Sequence, residues 1–586
     1  MNSRLRRRAL GLALAGGVLC GIAAPAETRA EGSPYGNYLA GVIAGNHQNF
    51  GRASDFLLAA LEENPGSPEL AVNAFVMLAA DGRLDIAKEL APTVLEIVPQ
   101  HLIASLVMSV QAFERGELEE ADAQLAALPQ RGAASLLAPL ARGWIAVDDD
   151  SLDALAERLR PLEENPSLQG VVPIHKALMY DVAGAAEQAG AAYDAALETA
   201  QNPTFRLILL AGNFFERQGE REKALDLYRG FLESRPGVEV ASDLILRAES
   251  GEVPDPIIAT SAEGMAEVYF DVGTLLSQEG ARDMALVHAR LALDLRPNFN
   301  EAVILVGETL QGLQRHEAAI EAYRSVGQDS AFLWNVGLRI ADELDELGQT
   351  EAAIAELERL AAEQPERFEP YFRIGNLQRE SERFAEAAEA YDEAVRRVEE
   401  PQGYHWSLFY FRGIAYERSD AWQKAEADFL RALELRPEDP YVMNYLAYSW
   451  VEQHSNLERA QEMLVRAVEL RPDDGYIVDS LGWVYYRLGK YQPAVERLER
   501  AVELQPQDPT INDHLGDAYW RTGRTREARV QWQRALSLEP EADLVPKIEK
   551  KLSEGMPPPE EYDYIPKTEN ETPALSGKPE TEGNDI

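Results

Sequence analysis

Small and apolar residues recur along this chain at spacings of three and four, and the whole pattern returns about every 34 residues. In the stretch 475–506, Leu481-Gly482, Tyr485, Gly489, Ala494, Leu498, Ala501 and Pro506 hold particular offsets. Leu515-Gly516, Tyr519, Gly523, Ala528, Trp532, Ala535 and Pro540 hold the same offsets in 509–540. Gly413, Tyr416, Ala425, Phe429, Ala432 and Pro437 give the pattern a third time in 406–437. Each unit predicts two short helices, the first ending near the central glycine and the second at the proline.

Every position has a mechanical role. Glycine near offset eight and alanine near offset twenty let the two helices of a unit cross closely. Aromatics near offsets eleven and twenty-four fill the volume on either side, and alanine near twenty-seven meets the next pair. Proline near thirty-two stops the second helix because it has no N–H to continue the ladder. Glycine near fifteen suits the turn, where a positive φ costs it little. The template extends back through 441–472, 368–401, 334–365, the unit holding Val306-Gly307 and Tyr323, 266–297 and 205–236. Ala40-Gly41, Ala53, Ala60 and Pro65 fit near the start. Between 102 and 203 the pattern is degenerate, alanine-rich and poor in aromatics, with Pro129, Pro166 and Pro203 as punctuation. The sum is about fourteen helical hairpins.

These residues resemble the tetratricopeptide repeat (TPR) family over nearly all of 34–540. The resemblance implies an all-α solenoid, a right-handed superhelix whose concave face is lined by the first helix of each hairpin. The expected organisation is an array over 34–246 with a degenerate middle, a linker over 247–260, and a second array over 261–540. The linker is read from Glu249-Ser250-Gly251-Glu252 and Pro254-Asp255-Pro256. A capping helix over 541–555 and a disordered, acidic, proline-rich tail over 556–586 follow. The carboxyl-terminal stretch is also similar to a group of bacterial envelope TPR proteins, through Asn444-Tyr445-Leu446-Ala447-Tyr448-Ser449, Asp479-Ser480-Leu481-Gly482-Trp483-Val484-Tyr485-Tyr486 and Asn512-Asp513-His514-Leu515-Gly516-Asp517. Some of that group are adaptors that deliver substrates to carboxyl-terminal processing proteases and so control peptidoglycan hydrolases.

A chain of 586 residues exceeds what one hydrophobic core can organise, which a repeat array resolves by growing along an axis. Its 46% hydrophobic and 26% charged residues exclude wholesale disorder. Arg4, Arg6, Arg7 and Arg8 precede an apolar run over 9–24 and the small-residue sequence Ala24-Pro25-Ala26. That order predicts a secretory signal peptide over 1–26 and a periplasmic protein. The single cysteine, Cys20, lies inside this segment, so the mature chain has no disulfide. Leucine at 19 departs from the small residue that lipidation of Cys20 requires, and a soluble protein is expected. The net charge of −43 repels phosphate backbones, so nucleic acid is not an expected partner.

Nothing in the sequence predicts catalysis, a cofactor or a metal. The eight histidines are scattered without paired spacing, and no phosphate-binding loop, dinucleotide motif or nucleophile elbow is present. Binding is read more sharply. The positions of first helices that the resemblance turns toward the groove carry Tyr476, Asp479, Trp483, Tyr486 and Arg487 in one unit and His514, Asp517, Trp520 and Arg521 in the next, with Tyr445 in the unit before. Aromatics beside arginine and aspartate have the chemistry of a protein-binding hot spot. The same aromatics also suit packing between neighbouring first helices. The lysine and asparagine clamp that some TPR domains use for peptide carboxyl termini is not recognisable. The expected partners are proteins or peptides, as in an adaptor for a processing protease or peptidoglycan hydrolases. The rival readings are a structural part of an envelope polysaccharide or protein export machine, and a helical-scaffold hydrolase.

Overall fold

The computed structural model describes residues 33–558 except 130, 150, 164–170, 201, 235–238 and 329. The signal segment 1–26 with Cys20, and the tail beyond 558, lie outside the described residues. The described residues form thirty α-helices, numbered α1 to α30 in chain order, and no strands. The helices pair into fourteen consecutive hairpins, six from α1–α2 to α11–α12 and eight from α14–α15 to α28–α29. Helices α13 (Glu239–Ser250) and α30 (Leu544–Glu554) stand alone. The chain is thus an all-α solenoid of helical hairpins, as the spacing predicts.

Within a hairpin the glycine of the first helix faces the large residue sixteen positions later in the second. A Cβ built on Gly307 would lie 2.3 Å from Tyr323, one on Gly413 would lie 2.7 Å from Phe429, and one on Gly516 would lie 2.5 Å from Trp532. The alanines at the other two conserved offsets, such as Ala425, Ala432, Ala528 and Ala535, are completely buried. Aspartates start the later first helices. Asp439, Asp474 and Asp508 accept backbone N–H bonds at the beginnings of α24 (Pro440–Glu452), α26 (Gly475–Arg487) and α28 (Pro509–Arg521). The turn between helices needs a left-handed residue. Gly489 and Gly523 supply it at φ 71° and 81°, whereas Glu382 and Asp420 take the same role at about 60°.

The chain divides into two compact units, one ending at Gln364 and the other beginning at Pro365. The segment 247–260, expected to separate two arrays, runs inside the first unit. Arg247 to Ser250 belong to α13, and the irregular residues after them are pinned by side chains from neighbouring helices. Asn213 Nδ2 donates to the Asp255 carbonyl at 2.9 Å, and Arg296 donates to the Ile257 carbonyl at 3.2 Å. Helix α13 ends at Ser250, with Gly251 left-handed at φ 82°, and two carbonyls of the proline-containing stretch after it find partners, so the segment is held rather than free.

The first unit is more than a row of neighbours. Its hairpin α14 (Ser261–Gln278) and α15 (Arg282–Leu295) packs back onto the first helices of earlier hairpins. Helix α15 lies against α3 (Pro68–Asp81) and α5 (Leu102–Glu114), and α14 against α7 (Ala134–Asp148) and α9 (Val172–Val182). The fit is close. Trp144 of α7 is fully buried, and a Cβ on Gly264 of α14 would lie 2.2 Å from its indole. Ion pairs tie the same surfaces: Lys88 with Asp294 at 2.7 Å, and Arg206 with both Glu267 and Glu301. A face of the kind assigned to ligands by the resemblance is here filled by the chain itself.

In the second unit one continuous core runs from Ala387 to Ile548, with Trp450, Phe429 and Trp532 fully buried. Helix α30 packs against α29 (Thr525–Ser537).

Candidate interaction face of the carboxyl-terminal repeats

Of the ten residues singled out from the sequence, nine lie on α26 and α28 and one, Tyr445, on α24. His514 Nδ1 lies 3.0 Å from Asp479 Oδ2, joining the two helices. The Trp483 indole is sandwiched, with the His514 ring 4.0 Å away on one side and Tyr486 at 4.7 Å, both nearly parallel to it. Trp483 Nε1 donates to Glu452 at 2.7 Å, and Arg487 reaches the His454 ring. Arg521 Nε donates to the Tyr486 hydroxyl at 3.3 Å and another of its nitrogens to the Pro557 carbonyl at 2.6 Å. Asp517 accepts from Trp532 Nε1 at 2.9 Å and from Lys551 of α30 at 2.8 Å. Trp520 packs on Trp532 and is approached by the backbone at Gly555. Tyr445 lies apart from these, edge-on to Tyr410 and donating to Glu417 at 3.1 Å.

The expectation that these side chains face solvent is not met. Trp483 is only 8% exposed, and Asp479, Tyr486, His514 and Asp517 are equally buried. Successive first helices approach closely enough that the mid-helix positions meet one another and become packing. Of the ten, only Tyr476, at the start of α26, is exposed, at 46%. It has two counterparts that the offsets alone did not single out. Tyr441 holds the same second position in α24 and is 45% exposed, and Tyr404, in the short turn before α22 (Trp406–Arg418), is 72% exposed. The signal available in the sequence was the recurrence of tyrosine at the helix start, where a side chain projects beyond its neighbouring first helix.

Burial and charge set two histidines in opposite directions. Burial pushes His514 down, but the Asp479 carboxylate, backed by Asp513 and Asp517, outweighs it and raises its pKa above 6.5. Asp517 itself is raised to about 6 by burial, with Lys551 opposing and Asp513 reinforcing. His288 in the first unit is pushed down to about 4 by burial, against its hydrogen bond with the Met284 carbonyl. Ring NMR titration is expected to show His514 with a midpoint above 6.5 and His288 near 4, and Asp479→Asn should lower the His514 midpoint. A raised folded pKa stabilises the fold below the unfolded value of 6.5, and the His514 contribution is lost as pH rises through its higher folded midpoint. Coincident midpoints for the two rings would contradict this electrostatic picture.

Among the described residues no cluster of histidine, cysteine and carboxylate side chains is arranged to hold a metal ion, and no helix is long and apolar enough to cross a membrane. Residues 482–523 match the family model for the TPR repeat, and residues 338–401 and 372–440 match that for the tetratricopeptide repeat. No curated protein matches the chain in sequence. Among solved structures, the chain is similar to MamA from Desulfovibrio magneticus RS-1, with 22% identity over 30% of this chain and 97% of that one and a TM-score of 0.27. It is also similar to yeast Tom70, with 13% identity over 89% and 94% and a TM-score of 0.31. A third is YrrB, a TPR protein with an unusual peptide-binding site, with 21% identity over 33% and 97% and a TM-score of 0.27. Arrays of this kind are scaffolds for protein interaction. Residues 338–440 and 482–523 thus carry tetratricopeptide repeats, and the hairpins around them are built on the same glycine, alanine and aromatic offsets.

Proposed function

We propose that this protein is a non-enzymatic scaffold of the bacterial cell envelope, exported to the periplasm, whose second unit holds partner proteins. Its most concrete role on this reading is that of an adaptor bringing substrates to a periplasmic protease or peptidoglycan hydrolase. The observation that carries the scaffold reading is the row of exposed tyrosines, Tyr404, Tyr441 and Tyr476, on three successive hairpins of that unit. Tyrosine gives large contact area at small entropic cost and keeps a polar handle, which is why it anchors protein interfaces. The net charge of −43 favours partners with basic surfaces. The signal-like segment 1–26 supports export, and the resemblance of 444–449, 479–486 and 512–517 to envelope adaptors supports the finer role.

The test is affinity capture from an envelope extract with the chain from Glu27, with partners identified by mass spectrometry. The control is the Tyr441→Ala/Tyr476→Ala variant, which leaves the packed Trp483 and Trp520 untouched. Hot-spot aromatics contribute about 2 kcal/mol or more each, so capture should fall at least about tenfold in the variant. Recovery of a protease or peptidoglycan hydrolase that is lost in the variant supports the adaptor. Recovery of polysaccharide synthase or secretion components instead points to a structural part of an export machine, and equal capture by the variant removes the tyrosine row from the argument.

A further inference from the structure

In the first unit a cavity of about 510 Å³ opens where α15 and the helices after it come round to the start of α2 (Phe50–Glu63) and the end of α3. Its size falls within the range of small-ligand sites, about 300–1,000 Å³. Arg290 of α15 and Arg315, just before α17 (His316–Arg324), line it, together with Asn49, Asp81, Glu321 and Ser325.

Arg290 is the anomalous member. Its Nε is wholly buried and makes no hydrogen bond, although the side chain carries a full positive charge. Burial lowers its pKa, and Asp81 and Glu321 oppose that only through longer-range attraction. Asp81 is turned elsewhere, accepting from Ser54 Oγ at 3.4 Å, with an oxygen close over Gly51 in the first turn of α2. The Nε is shut in against the turn at Gly82, so the part-buried remainder of the guanidinium is what lines the cavity, and a guanidinium so placed can receive an acceptor group. The planar fork of an arginine matches a carboxylate in particular.

The other charges narrow the class. A dianion such as phosphate would meet Asp81 and Glu321 as like charges, and a cation would meet the two arginines. A single carboxylate on the guanidinium side avoids both; the Asn49 side-chain oxygen caps α2 and the Ser325 hydroxyl donates to the Ala322 carbonyl, which leaves the Asn49 amide N–H as donor and the Ser325 oxygen as acceptor for a polar remainder. We propose that this cavity is a binding site for a small monocarboxylate, its carboxylate received by Arg290 and Arg315 and its polar end by Asn49 and Ser325. The proposal is independent of the scaffold reading, which concerns the second unit.

The experiment is calorimetric titration of the full chain, in low-chloride buffer, with lactate, pyruvate and N-acetylglycine as probes. N-acetylglycinamide, which lacks the carboxylate, and inorganic phosphate are the comparison probes. At least one monocarboxylate is expected to bind, with the amide and phosphate at least about tenfold weaker, as the loss of a charge-assisted hydrogen bond predicts. Arg290→Gln and Arg315→Gln should each weaken the monocarboxylate about tenfold or more. Should Arg290→Gln lose its helical circular dichroism, the partly exposed Arg315 carries the test alone. Absence of binding by all three monocarboxylates, equal binding of the amide, or unchanged affinity in Arg315→Gln would overturn the assignment.

Discussion

Trp144→Ala is expected to destabilise the first unit by about 3–5 kcal/mol, the range for removing a fully buried large aromatic. The indole fills the junction between α7 and α14, where Gly264 lies against it. The lost contacts are those that hold the seventh hairpin against the early ones, so the damage should be regional. In hydrogen exchange, amides of α7 and α14 should lose protection while those of α26 and α28 keep theirs. Trp144→Phe should cost much less, because it retains most of the volume and removes an indole N–H that is buried without a partner. Equal exchange in wild type and Trp144→Ala would show that closure does not depend on this contact.

Glu267→Gln is expected to cost a comparable amount, about 3–5 kcal/mol, for an electrostatic reason. Glu267 is 2% exposed and accepts from Arg206 and from Arg296, the latter at 3.3 Å. Neutralising it leaves two guanidiniums largely desolvated, with Glu301, 2.7 Å from Arg206, as the remaining counter-charge. The uncompensated charge rather than the missing bond dominates, so removing Arg206 as well should restore part of the stability. The double variant Arg206→Met/Glu267→Met is expected to recover part of the loss in urea denaturation, because Arg296 and Glu301 still lack their former partners. A double variant no better than Glu267→Gln would mean that the pair itself, and not the stranded charge, stabilises the unit.

The hairpins were legible because their determinants are local. Gly307 and Tyr323, or Gly375 and Tyr391, sit a fixed sixteen residues apart, and the crossing they make is the same in every unit. Closure of the first unit was not legible, since Trp144 and Gly264 meet from distant parts of the sequence and neither belongs to a periodic pattern. The break read at 247–260 rested on real loop chemistry at Gly251, Pro254 and Pro256, yet composition does not reveal that Asn213 and Arg296 hold those carbonyls. Conversely, the division at Gln364 and Pro365 has the same appearance as any other repeat end. At the candidate site the expected exposure is not found. Asp479, Trp483, Tyr486 and His514 do share one face, but that face closes against the neighbouring helix. Helix-start positions escape this burial, which leaves Tyr441 and Tyr476 outside.

The return of α14 and α15 onto the early hairpins also bears on how the chain acquires its structure. A row of nearest neighbours adds each repeat to a surface already formed, and frays from its ends in small steps. The first unit must instead close a loop of many hairpins before its long-range contacts form, which slows the decisive step and makes it more nearly all-or-none. Delivered amino end first, the apolar faces of α3, α5, α7 and α9 wait uncovered until residue 295 has arrived, and through that interval they are open to aggregation or to a chaperone.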